Sequence, residues 1–325
     1  MAPPTGPAAR GPLLGYALFA AAIAVVWGIE AYAIPWTDPY LAGIVIRIGM
    51  SLLAVMGLAL VLGFTGQFSL GHAGFMAVGA YGTAMVVIHT GIHPMVGVFL
   101  GGLAAAFAGL LVGLPTLRLT GDYLAVVTLG FNGIILVFIQ NTPFLGGAAG
   151  LTGLPVVTNF GWTFTWVLLG ALFIRNLLNS SHGRVFAAVR DNEIALRSLG
   201  VDTTRAKVIA FVVGAFWAGV AGGLLSLYRA SIFPSQFQFE RSIDILAMVV
   251  LGGTGSLSGP LIAAAALTAL PELLRPIADY RMIIYSLLLI VTMIVRPQGL
   301  LGGKELVDLF RRRPAAPKAS GGKAA

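Results

Sequence analysis

Apolar residues in this chain do not alternate with polar ones at the period of a strand or of an amphipathic helix; they run in blocks. A window of roughly 19 residues finds apolar stretches near 13–29, 41–62, 72–90, 95–116, 123–140, 162–178, 205–228, 242–254, 259–274 and 281–295. Blocks of that length with few charges mark helices that cross a bilayer, because a helix satisfies its own backbone polar groups in lipid. The pattern predicts an all-α polytopic membrane protein with about ten transmembrane helices, of which 242–254 is the shortest. The motif Ala31-Tyr32-Ala33 resembles a signal cleavage site, but only Arg10 precedes the first block and nine further blocks follow, so that block is read as an uncleaved first helix.

One stretch breaks the pattern. Residues 182–200 hold Arg184, Arg190, Asp191, Glu193 and Arg197 in a chain with only 20 basic and 12 acidic residues. Val185, Val189, Leu196 and Leu199 fall on a helical stripe, with Arg190, Glu193 and Arg197 on a polar face. Ser180 or Ser181 can cap the start of such a helix, and Gly200 can end it in the left-handed conformation. The expected element is a cytoplasmic surface helix that turns its charged face outward. A merely solvated face is the alternative, but the chain has almost no other ordered cytosolic surface for a partner to hold.

Composition agrees with lipid as the solvent: 58% of residues are hydrophobic, 10% are charged, and the mean hydropathy is +0.92. Lys and Arg concentrate on cytoplasmic segments, and an inward N-terminus puts 15 of the 20 basic residues there. The outer side keeps Arg47, Arg229, Arg241, Arg275 and Arg281, balanced by acids that include Asp244 and Glu272. The net charge of +8 is therefore a topology signal and not a nucleic-acid footprint. The division that follows is a cytoplasmic tail at 1–12, a transmembrane domain at 13–296 with a loop at 180–204, and a disordered cytoplasmic tail at 297–325. The 43 glycines include helix-packing spacings such as Gly97-x3-Gly101, Ala105-x3-Gly109-x3-Gly113 and Ala215-x3-Gly219-x3-Gly223.

An internal repeat comes next. Residues 62–69, LGFTGQFS, and 251–258, LGGTGSLS, share Leu, Gly, Thr, Gly and Ser in register. Transporters built from repeats break their helices at Gly-rich segments where solute passes, and such backbone must be buried in protein or line a cavity. Thr65, Gly66, Gln67, Ser69 and His72, with Thr254, Gly255 and Ser256 and the mid-span Asn132, are the candidates to line a translocation path. The competing reading is that they satisfy backbone groups at helix breaks, and His72 alone reads better as a packed polar residue. Parallel and inverted repeats both stay open. Asp244 and Glu272 sit near outer span ends, where they would meet an ammonium group or stay hydrated, and no charge pair suited to holding a zwitterion is evident.

Absences narrow the classes. The chain has no G-x4-GK-[ST] phosphate loop and no cysteine. It also shows no mid-span carboxylate, no nucleophile with a base and no metal cluster; His89 and His93 have i, i+4 spacing but lie in a short outer loop before Pro94 with no acid beside them. The reading is a non-catalytic transport subunit without a metal or cofactor of its own, driven by a partner. A stand-alone carrier or channel is the rival class.

Several segments carry a family resemblance: GFTGQFSLGHAGFMAVGAY at 63–81, LTGDYLAVVTLGF at 119–131, GLTGLP at 150–155, GRVFAAVRDNEIALRSLGVDTTRAKVIAFVVGAFWAGVAGGL at 183–224, and MVVLGGTGSLSGPLIAAAALTALPELL at 248–274. These resemble the LivM-type branched-chain amino acid permeases of binding-protein-dependent ABC importers. The resemblance implies that Gly183, Arg184, Arg190, Glu193, Arg197 and Gly200 belong to the loop that docks in a groove of the ATPase. In this chain Ile194 follows Glu193, and Gly200 comes one residue later than the general importer pattern. It further implies a second homologous permease, two cytosolic ABC ATPases that bind the ATP and Mg, an extracytoplasmic binding protein, and a place in the bacterial inner membrane. Branched-chain amino acids are the expected cargo; a sister group serves urea or short amides.

Overall fold

The computed structural model describes residues 12–32, 34, 37–117 and 121–275, with isolated positions as far as 299. The predicted tails lie outside the described residues except for Pro12 and Gly299, and the span predicted at 281–295 lies largely outside them. The helices are α1 (Pro12–Tyr32), α2 (Pro39–Leu58), α3 (His72–Thr90), α4 (Pro94–Thr116), α5 (Asp122–Asn141), α6 (Phe160–Asn179), α7 (Ser181–Ser198), α8 (Thr203–Arg229), α9 (Phe239–Gly252) and α10 (Ser258–Leu273). α2 continues without a break into a π-turn, Ala59–Phe64. The sole described sheet is a two-residue antiparallel pairing of β1 (Leu151–Thr152) with β2 (Ser231–Ile232), which pins the long loop after α5 to the end of α8.

Among the described residues, six helical segments are long and apolar enough to cross a membrane: Pro39–Phe64, α3, α4, Tyr123–Asn141, α6 and α8. The chain is therefore a multi-pass, all-helical membrane protein. The ten predicted blocks exceed this tally by four: the first appears only as the shorter apolar helix Phe19–Tyr32, the block at 281–295 lies largely outside the described residues, and α9 and α10 have only 14 and 16 residues. At 1.5 Å per residue that is about 21–24 Å, against a hydrocarbon core of about 30 Å. The second glycine loop, between Gly252 and Ser258, cuts them short.

Local chemistry sets the helix starts. Asp38 accepts from the Tyr40 amide at 2.9 Å with Pro39 in the first turn of α2, Asn159 accepts from Trp162 N–H at 2.9 Å to start α6, and Asp202 accepts from Arg205 N–H at 3.0 Å to start α8. α8 is the central post, packed on α2, α3 and α4 through small residues. A β-carbon at Gly79 of α3 would overlap the backbone of Gly219, and one at Gly109 of α4 would stand 2.6 Å from the Ala215 β-carbon. Gly57 of α2 would likewise meet the Gly214 carbonyl oxygen at 2.5 Å. The small-residue spacings in α4 and α8 are thus the packing seam itself, with backbones close enough for dispersion to hold helices that lipid does not drive together. α1 joins the bundle through α6, where Trp27 meets Trp162 edge-on at 5.2 Å and Glu30 accepts from Gly161 N–H at 3.1 Å.

Candidate functional site

The two glycine loops, 189 positions apart in the sequence, meet in space, and α7 is what joins them. The first loop leaves the π-turn tied back on itself: Thr65 donates to the Val61 carbonyl at 2.6 Å, and the Gln67 amide donates to the same carbonyl at 3.1 Å. Gly66 then adopts φ +69°, a conformation that favours glycine. In the second loop Gly253 and Gly255 have φ +103° and +101°. A β-carbon at Gly63 would lie 3.5 Å from the Gly255 nitrogen, so the backbones are adjacent.

Arg190 of α7 fills the join. Its Nη1 donates to the Gly63 carbonyl at 2.9 Å, and that same nitrogen would stand 2.7 Å from a β-carbon on Gly255. Its aliphatic stem covers Gly66, whose β-carbon would come 3.3 Å from Arg190 Cγ. The expectation that Arg190 faces outward is corrected in part: the side chain stays 36% exposed, but its guanidinium reaches back onto the first loop, with Asp191 alongside at 3.4 Å. Small residues in both loops leave the room that a planar guanidinium needs.

The charged face is also not one continuous helix. Asn192 has extended backbone, φ −161° and ψ 96°, in the middle of α7, and its Oδ1 accepts from the Ala195 amide at 2.9 Å. Asn192 acts as an internal N-cap, so α7 is two short helices set at an angle. Glu193, in the first turn of the second, sits where helix polarity favours a carboxylate. It accepts from Lys207 Nζ at 2.6 Å, Arg197 Nη2 at 2.6 Å and Thr203 Oγ1 at 3.1 Å. Burial raises the Glu193 pKa, but the hydrogen bond and charge of Lys207, then Thr203 and Arg197, outweigh it and hold the carboxyl below its ordinary value. Lys207 is nearly fully buried, and its backbone carbonyl accepts from Gln67 Nε2 at 3.4 Å. A chain of polar contacts thus runs from α7 through α8 to the first glycine loop. It surrounds a cavity of about 240 Å³ bounded by Thr65–Phe68, Val189–Glu193, Gly121 and Lys207.

The ends of α7 behave as the residue types suggest. Ser180 accepts from His182 N–H at 3.2 Å, and Gly200 has φ +81°. Gly183 is buried against the end of α6, where a β-carbon would overlap the Leu178 backbone, while Arg184 is exposed. Of the predicted apolar stripe, Val189 is buried and Val185 and Leu196 are half-buried, with Phe186 fully buried beside them. Leu199 is the exception at 79% exposed, and Ile194 is 83% exposed. Beyond the Asn192 break the helix therefore turns apolar side chains outward, a change of face that a single uninterrupted helical period hides.

The remaining candidates separate into two groups. Gln67 Oε1, Asn132 Oδ1 and Ser256 Oγ are buried with no hydrogen-bond partner among the described residues. Ser69 and His72 are spoken for: Ser69 accepts from the Gly71 amide at 3.4 Å, and His72 Nε2 meets the Ala54 carbonyl of α2 at 3.1 Å. His72 is a packed polar residue at the α2–α3 contact. Asn132 lies against Gly74 of α3, and Thr254 is exposed on the second loop. Glu272 is not simply hydrated at a span end: it pairs with Arg47 of α2 at 2.9 Å and accepts from the Tyr40 hydroxyl. That pairing escapes a linear reading because its partners are 225 residues apart.

Comparison with known proteins agrees with this architecture. A family model described as branched-chain amino acid transport system, permease component, matches residues 40–295. The high-affinity branched-chain amino acid transport system permease protein LivM of Salmonella typhimurium is 35% identical over 333 aligned positions, covering 91% of this chain and 77% of the relative. LivM of Escherichia coli K12 is 37% identical over 281 positions, with 76% of this chain and 66% of the relative covered. The permease protein LivH of the same organism is 26% identical over 286 positions, covering 78% and 92% respectively. No solved structure matches.

Proposed function

Because this chain belongs to the family of branched-chain amino acid transport permease components, we propose that it is the membrane-spanning permease subunit of an ATP-driven importer that moves branched-chain amino acids delivered by an extracytoplasmic binding protein. Its similarity to both LivM and LivH supports a pathway built from this chain and a second, homologous permease. Two cytosolic ATPases bind ATP and Mg and supply the energy; this chain does no catalysis. The named relatives transport amino acids, which favours that cargo over urea or amides.

One observation carries the mechanism: Arg190 of α7 is wedged between the two glycine loops. In this reading α7 is the coupling element, and Ile194 and Leu199 are the apolar contacts it offers the ATPase. A displacement of α7 pulls on both loops through Arg190 and on α8 through Glu193 and Lys207. The loops, whose Gln67 and Ser256 keep unpaired buried polar atoms, line the inner end of the path and open or close it. The short α9 and α10, the described part of α1 and the apolar block at 281–295 add the remaining passes to a total of ten, with the glycine loops as elements of a repeat and both termini in the cytoplasm of a bacterial inner-membrane protein.

The test is reconstitution of the full assembly. Leucine uptake that needs ATP, the binding protein and both permeases is the expected result. Sustained ATP-independent uptake by this chain alone overturns the scheme.

A further inference from the structure

Away from the coupling cluster the structure holds an apolar groove of about 490 Å³ between α4 and α6, floored by α8. α4 is held on α3 and α8, and α6 on α1, α2 and α7, which leaves the gap between them. Aromatic rings frame it. Phe99 of α4 meets Phe216 of α8 edge-on at 5.8 Å, and Phe216 meets Trp217 edge-on at 5.2 Å. Trp217 in turn meets Trp166 and Phe173 of α6 at 6.4 Å and 6.0 Å. Rings braced against one another hold a fixed geometry, and the groove stays open between them.

The groove has the depth of one leaflet and a charged mouth. From Trp166 to Asn176 it follows α6 for ten residues, about 15 Å at helical rise and half of a hydrocarbon core of about 30 Å. Asn176, which puts a carboxamide among apolar and aromatic lining, stands in the last turn of α6, at the end of the bundle that carries α7. Beside it Arg175 is exposed, and Arg205 is exposed in the first turn of α8. Arg205 comes eleven residues before Phe216, which is three helical turns, so it shares a face with the groove's floor and lies on the α7 side of it. Neither guanidinium has an ion-pair or hydrogen-bond partner among the described residues. Asp202, the nearest acid along the chain, spends its Oδ1 on the Arg205 backbone amide at 3.0 Å and pairs with neither.

We propose that this groove binds an anionic phospholipid of the leaflet at the α7 end, with an acyl chain between α4 and α6 and the headgroup phosphate received by Arg175, Arg205 and Asn176. An apolar lining alone takes any lipid tail; two unpaired guanidiniums at its mouth select a headgroup of net negative charge, as basic sites between transmembrane helices do. Arginine's planar fork suits a phosphate. A helix of the second permease is the other occupant with apolar chemistry, but an apolar helix laid in the groove would offer the two guanidiniums no anion. The site is separate from cargo and coupling, since its residues lie outside the α7 cluster and the glycine loops.

The groove carries its own reporters. Trp27→Phe, Trp36→Phe and Trp162→Phe together leave Trp166 and Trp217 as the indoles of this chain. In the full chain in detergent, their fluorescence is followed as phosphatidylglycerol or phosphatidylcholine with brominated acyl chains is added, bromine being a contact quencher. Quenching by phosphatidylglycerol should saturate near about one lipid per chain, with a midpoint lower than that of phosphatidylcholine by roughly tenfold or more, the preference that two basic residues beside a headgroup give. Arg175→Gln with Arg205→Gln should erase that preference, and Arg175→Lys with Arg205→Lys should keep part of it. Equal midpoints in the parent overturn the proposal, as does a preference that survives the glutamine pair. If the tryptophan replacements unfold the chain, native mass spectrometry of the delipidated parent with an equal mixture of the two lipids decides. A retained phosphatidylglycerol that is lost in Leu169→Trp, which fills the groove, is the expected result; no preference, or retention unchanged by Leu169→Trp, overturns it. The same measurement on the assembled transporter tells lipid from protein: if the lipid sensitive to Leu169→Trp is absent there, the second permease covers the groove and the lipid site falls.

Discussion

Glu193 and Lys207 are the most exacting pair in the molecule, because Lys207 is nearly buried and Glu193 is the carboxylate that meets its ammonium. Removing one partner of a buried pair strands the other charge, a loss of about 3 kcal/mol or more. Glu193→Gln should therefore destabilise the α7–α8 junction more than Lys207→Met, since in the second variant Glu193 keeps Arg197 and Thr203. Comparing thermal unfolding of the two variants in the same detergent checks the order. The pair also sets a pH dependence. The folded-state pKa of Glu193 is lowered from 4.5, so its stabilisation is complete above that value and is lost as pH falls through the lower, folded-state pKa. A stability profile that is flat near neutrality and drops below pH ~4.5, with a shallower drop in Glu193→Gln, is the expected outcome. Arg190 and Ile194 separate two roles that sit four residues apart. Arg190→Ala should leave the ATPase bound but lower import by roughly tenfold or more, through loss of a charge-assisted bond to Gly63. Ile194→Asp with Leu199→Asp should release the ATPase on co-purification while the permease still folds, because both side chains are exposed.

Among the elements, α3, α4 and α8 stand or fall on their glycine seam. Gly79→Val would drive a side chain into the Gly219 backbone, and backbone cannot swing aside as a side chain can. Gly133→Val, on an open face of α5 with nothing within 4 Å, is the matched control. Expression of folded protein, followed by monodispersity in detergent, should collapse for the first and persist for the second. α7 shows the opposite design, two short helices joined at an extended Asn192 whose side chain caps the second. Asn192→Ala removes that cap at about 1 kcal/mol. Amide exchange should quicken across 193–198 and stay unchanged in 183–189.

At the scale of the whole molecule, the cysteine-free sequence makes topology measurable. Single substitutions Ser198→Cys at the end of α7 and Thr90→Cys at the far end of α3 should label from opposite faces of the membrane, Ser198→Cys from the cytosol. Labelling of both from one face would break the proposed arrangement. The α7 cluster and both glycine loops occupy one end of α8, and a cavity of about 250 Å³ bordered by Arg47, Arg229 and Arg241 occupies the other. α8, 27 residues long and about 40 Å at helical rise, is the rigid body that connects them.

Much of this was legible in the sequence because it depends on local composition alone. Lipid solvates any sufficiently long apolar block as a helix, so the class, most of the helices and the small-residue seams follow from residue type and spacing. The charge break at 182–200, the Ser180 start and the Gly200 stop are equally local. The likeness in sequence of the two glycine loops could be read in the same way. What no linear pattern contains is which polar groups meet. That α7 is two helices rests on one extended residue, Asn192, in a run with good helical periodicity. That the Arg190 guanidinium reaches back to the Gly63 carbonyl depends on the space left where Gly63 and Gly255 come together. Arg47 with Glu272, Gln67 with Lys207, and the gathering of Arg47, Arg229 and Arg241 around one cavity all join residues from distant helices. Helix formation in lipid is settled residue by residue by the backbone's need for hydrogen bonds, whereas the position of a charge within the bundle is settled only once neighbouring helices decide which side chains are taken out of reach of water.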